Sequence, residues 1–116
     1  MSIRIDLGTF SEGTTADPGK RVVSINCTKE LTGAEVLTGT PVVLERTTAD
    51  LTITSKRINT SPVEVERVTV ATNKAIQFFV KGATKARGSY LIDIACATTS
   101  TPDAEKLTYE GVLLCV

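Results

Sequence analysis

Cys27, Cys96 and Cys115 are the most reactive side chains in this sequence, and there is no histidine to act on them. A thiol or hydroxyl nucleophile usually takes its activating base from an imidazole, so the common covalent mechanisms have no partner here. The cysteines are also too far apart along the chain for the paired spacing of a zinc site. Cys27 and Cys96 could face each other across two sheets, as the bridge does in antibody domains. The simpler reading is three small, buried, apolar thiols in a reducing compartment. Glu64 and Glu66 fall on one face of a strand and read as solvated charges. Asp17, Asp50, Asp93 and Asp103 lack the close spacing of a calcium loop, and no phosphate-cradling glycine loop is present. The sequence therefore predicts no enzyme, no metal and no cofactor. Lys81, Lys85 and Arg87 cluster without interleaved aromatics. They suit a solvated loop or an electrostatic contact to an acidic partner surface better than a nucleic-acid platform.

The chain of 116 residues has the length of one domain and can bury a core without metals or disulfides. Its 13 basic and 13 acidic residues cancel. Nucleic-acid binders and polybasic membrane-surface proteins carry a basic excess, so neither partner is expected. Zero net charge also removes self-repulsion, which suits a protein that assembles with others. The first residues, MSIRIDLGTFSEG, are not those of a signal peptide, and no run approaches the ~20 apolar residues of a membrane helix. Synthesis in the cytosol without export is the expectation.

The elements that would position any site are strands. Residues 75–100 carry the strongest pattern. Ile76, Phe78 and Val80 alternate in the first half, and Tyr90, Ile92, Ile94 and Cys96 in the second, so each run offers one face to a core. Gly82 and Gly88 lie between them, and the pattern predicts a hairpin with the cations at its tip. Val23, Ile25 and Cys27 alternate within residues 20–28. Short strands are expected over residues 41–46 and 51–58 and over the last eleven residues. The alternation over residues 63–70 shifts phase after Arg67, which predicts a bulge or two short strands. About seven or eight strands with turn signals between them define an all-β, two-layer antiparallel sandwich. Residues 20–116 would form the sandwich domain, and residues 1–19 an N-terminal strand followed by a flexible arm-like linker. That strand, with Ile3, Ile5 and Leu7 on one face, could pair as an edge of its own sandwich or reach a neighbouring chain. The first suits the free monomer and the second an assembly.

Several short motifs carry a family resemblance. Asp17-Pro18 precedes the strand at residues 22–27, and Leu31-Thr32-Gly33-Ala34-Glu35-Val36 follows it. The apolar run at 75–80 is followed by Gly88-Ser89-Tyr90-Leu91-Ile92-Asp93-Ile94, then by Thr98-Thr99-Ser100 and a closing strand at 110–116. Over residues 17–116 this pattern resembles small immunoglobulin-like structural proteins of tailed bacteriophages. Tyr90-x-Ile92-x-Ile94 also resembles the tyrosine-corner strand of fibronectin-like domains. The resemblance implies an immunoglobulin/fibronectin-like sandwich that serves as a virion structural protein without a catalytic site. Capsid cement or decoration protein is the first placement, and head–tail or tail-fibre adaptor the second. Its partners would be the major capsid protein or tail proteins, and it would be a homo-oligomer in the assembled particle. Ile3, Ile5, Leu7 and Phe10 would make the contact, with Lys81, Lys85 and Arg87 second. The competing reading is a carbohydrate-binding immunoglobulin-like module, which needs exposed aromatics; Phe79 and Tyr109 are the pair to watch.

Overall fold

The computed structural model describes residues 3–10, 21–31, 34–46, 51–82, 88–99 and 106–115, with the side chains of Phe10, Arg21, Lys106 and Cys115 left aside. Nine strands appear among them: β1 (Ile3–Phe10), β2 (Arg21–Asn26), β3 (Leu37–Glu45), β4 (Thr52–Ile58), β5 (Val63–Val65), β6 (Val68–Val70), β7 (Ala75–Lys81), β8 (Ser89–Thr98) and β9 (Lys106–Cys115). A single turn of 3-10 helix (Thr28–Glu30) follows β2. The four-stranded sheet A runs β1-β9-β8-β3, and the three-stranded sheet B runs β2-β7-β4. The fold is the expected all-β sandwich.

The core lies between the two sheets and comes from the alternations visible in the sequence. Val23, Ile25 and Cys27 of the β2 segment meet Ile76, Phe78 and Val80 of β7 on the sheet B side. Tyr90, Ile92, Ile94 and Cys96 of β8, with Tyr109 and Leu113 of β9, supply the sheet A side. Phe78, Tyr90 and Ile92 are fully buried. Each such side chain contributes about 2 kcal/mol from water exclusion alone, so these two strands anchor the fold.

The hairpin expected over residues 75–100 is not one. β7 pairs with β2 and β4, and β8 pairs with β9 and β3. The connection crosses from one sheet to the other, and the two apolar faces meet across the core. Alternation fixes which face a strand buries and leaves its hydrogen-bonding partner open. Instead β8 forms a long hairpin with β9, and a tight one joins β5 to β6 just before β7. Val65 opposes Val68, and Glu66 and Arg67 between them have φ of 49° and 69°. Two left-handed residues in a two-residue loop make a type I′ turn, which produces the phase shift read in the sequence.

Two boundaries also differ from expectation. β1 continues past Leu7 to Phe10, because a bulge between Asp6 and Gly8 absorbs the glycine. β3 starts at Leu37 and runs through Pro41, with a register shift between Thr38 and Val42. Proline is tolerated there because β3 is an edge strand. The sandwich is also not wholly antiparallel, since β1 pairs parallel with β9.

Candidate functional site

Sheet A carries a row of charges on its outer face. Arg4 of β1 opposes Glu110 of β9, which opposes Asp93 of β8. Arg46, just beyond β3, reaches over the row. Its Nε donates to Asp93 Oδ2 at 2.9 Å, and its NH1 lies 2.8 Å from Glu110 Oε2. A second contact joins Arg46 to Asp93, and Arg4 pairs with Glu110. Hydrogen bonding to the Arg46 guanidinium holds both carboxyls below their ordinary values. These charges are satisfied by one another and leave the row neutral. Around it lie apolar side chains in the open: Val42, Leu44 (60% exposed) and Leu114. An apolar surface studded with mutually paired ions is suited to being covered.

Below Leu7, Gly111 forms a notch. A Cβ at position 111 would stand 2.6 Å from Leu7 Cδ1 and 2.8 Å from Leu7 Cγ. Only glycine lets Leu7 seat there, so this notch helps to hold β1 on β9. Ile3, Ile5 and Leu7 are partly buried and pack against the core from β1. Phe10 closes β1 opposite Cys115. Lys81 ends β7 opposite Thr52 and is exposed. Lys85 and Arg87 lie outside the described residues. The structure thus puts Ile3, Ile5 and Leu7 together on one strand, with Lys81 on the other sheet.

A second feature is a groove of about 590 Å³ between β1 and β2, closed at one side by the β5–β6 hairpin. Ile5, Leu7 and Val22 line it together with Asp6, Glu64 and Glu66. No cation is among its described lining residues.

Two of the thiols sit in the core. Cys27 and Cys96 are both free and buried. Burial pushes the Cys27 thiol up to about 11, and its Sγ donates to the Ile25 carbonyl at 3.7 Å. Burial likewise raises Cys96. The Tyr109 hydroxyl donates to Glu30 Oε1 at 2.5 Å, and burial drives its own pKa well above the ordinary phenol value. A nucleophile needs the opposite shift, toward the thiolate. Among the described residues no group of His, Cys, Asp and Glu is placed to hold a metal ion. Tyr109 is 2% exposed, and Arg57 lies over the Phe79 ring at 5.5 Å from its centroid. The aromatic pair that sugar stacking would need is therefore not open.

Asn59 is a structural residue that no motif announces. It is 2% exposed. Its Nδ2 donates to the carbonyls of Ser61 and Ala71 at 3.0 and 2.9 Å. Its Oδ1 accepts from the amides of Lys74 and Ala75 at 3.1 and 3.0 Å. One side chain thus ties the end of β4 to the base of the β5–β6 hairpin and the start of β7. Asn-Thr-Ser-Pro reads as a generic turn, and only the fold brings Ala71 and Lys74 to it.

Comparison with protein-family models, characterised proteins and solved structures gave no significant match.

Proposed function

We propose that this protein is a non-enzymatic structural component of a tailed-bacteriophage particle, with capsid cement or decoration as its role. The observation that carries the reading is the outer face of sheet A, where exposed Val42, Leu44 and Leu114 surround a self-neutralised ion row. Such a face gains by being covered with apolar protein surface, and the four charges of the row already neutralise one another when it is. β1 supports the reading in a second way. It is an edge strand joined through residues 11–20, so it could leave β9 and lie on a neighbouring subunit as an arm. The strand order, β1-β9-β8-β3 over β2-β7-β4, supports the immunoglobulin-like form of the sandwich that this resemblance implies.

The major capsid protein is the partner this reading names. Co-sedimentation with purified capsid shells and with purified tails tests it. Saturable binding of many copies over the shell is the expected result. Binding to tails, or to a single shell vertex, would move the role to head–tail adaptor. Binding to neither would remove the particle reading.

A further inference from the structure

Among the described residues the two sheets have four edge strands, β1, β3, β2 and β4. An open edge is a template for pairing with another chain, and proteins commonly blunt it with bulges, charges or proline. Three of these four are blunted. β1 has its register shift at Asp6/Gly8, where Asp6 Oδ1 accepts the Gly8 amide at 2.8 Å. β3 carries Pro41 and a shift between Thr38 and Val42. β4 shifts between Thr54 and Arg57 around Ser55, whose φ is 54°. β2 is different. Its register with β7 is unbroken from Arg21 to Asn26.

Which groups of β2 point outward follows from the ladder. The Cys27 amide donates to the Lys74 carbonyl at 2.9 Å, one step beyond the pair Asn26–Ala75. Directly bonded pairs alternate along an antiparallel ladder, so Cys27, Ile25 and Val23 bond to the β7 side. Val22, Ser24 and Asn26 therefore turn their N–H and C=O groups to the free edge, where no strand among the described residues pairs with them. That edge opens into the groove lined by Ile5, Leu7 and Val22 with Asp6, Glu64 and Glu66.

We propose that β2 is a strand-acceptor edge, which takes an extended segment of a partner protein that alternates apolar residues with lysine or arginine. Backbone pairing to Val22, Ser24 and Asn26 supplies the affinity, and the three carboxylates select the cations. A second copy's β2 fits poorly, because edge-to-edge pairing would bring two acidic grooves together. Residues 11–20 of the chain itself carry Glu12 and Asp17 against Lys20, a net negative charge that does not match an acidic groove. The proposal is independent of the particle reading.

The probe is a fluorescein-labelled eight-residue peptide alternating valine with lysine, set beside its valine–glutamate counterpart, with anisotropy read against the full chain. The lysine peptide is expected to bind at least about tenfold tighter than the glutamate peptide, and more weakly as salt rises. Val22→Pro removes one outward amide without touching the β7 ladder and should weaken binding by about tenfold or more. Glu64→Lys, on an exposed position of β5, should narrow the preference for the lysine peptide. Failure of both peptides to bind, equal binding of the two, or unchanged behaviour in Glu64→Lys overturns the proposal. Should Val22→Pro fail to fold, the Glu64→Lys comparison decides alone. A wild-type dimer in light scattering that Val22→Pro dissolves would assign the edge to a second copy and overturn the partner named here.

Discussion

At the scale of single residues, stability rests on polar groups as much as on the aliphatic core. Asn59 satisfies four backbone partners from one buried side chain. Truncation to alanine takes this partner from the Ser61 carbonyl and the buried Ala75 amide, while the Lys74 amide keeps its bond to the Ala71 carbonyl, and a buried unsatisfied group costs about 1–3 kcal/mol. Asn59→Ala should lower unfolding stability by about 3 kcal/mol in urea titration, and Asn59→Asp should not rescue it, since a carboxylate cannot donate to Ser61 and Ala71. Cys27 sets a pH limit. Its ordinary value of 9.0 is raised to about 11 by burial, so the unfolded chain loses this proton first as pH rises. Stability linked to it is complete below pH 9.0 and is lost between there and about 11. Cys27→Ala should reduce the slope of stability against pH across that window. Some slope will remain, because Cys96 and Tyr109 are shifted in the same direction.

At the scale of elements, β1 is the strand whose attachment can be adjusted. Leu7 sits over Gly111, and a methyl group there meets Leu7 carbons at 2.6 and 2.8 Å. Overpacking of this kind costs about 1–3 kcal/mol. Gly111→Ala should therefore speed amide exchange in β1 while β8 amides keep their protection, as measured by hydrogen exchange with mass spectrometry. Uniform loss of protection across both would mean that β1 is not separable. The strand faces were legible in the sequence because period-2 alternation is local: Ile76, Phe78 and Val80 are buried as read, and so are Tyr90, Ile92 and Ile94. The double strand β5–β6 was legible through its phase shift. The pairing of β7 with β2 and β4 was not, nor was the parallel seat of β1 on β9, because both depend on contacts distant in sequence. The site was legible only in part. Ile3, Ile5 and Leu7 were singled out from the first strand, but the ion row needs Arg4, Arg46, Asp93 and Glu110 from four separate segments, and no spacing announces it.

At the scale of the whole molecule, the sandwich presents two kinds of surface a partner could cover. Its net charge is zero. Sheet A offers an apolar face with internally paired ions, and sheet B offers one unblunted edge. On the proposed reading, the sheet A face is the surface that a phage shell covers. Leu44 is its most exposed large apolar residue at 60%, and it makes no part of the buried core. A charge there should leave folding intact and should be costly only when the face is covered. The measurement to make is co-sedimentation of wild type and Leu44→Glu with purified capsid shells, after thermal melts show the two equally stable. Saturable binding is expected of wild type, with binding weakened by about tenfold or more in Leu44→Glu. Equal binding by the two proteins would contradict it and move the docking surface away from sheet A.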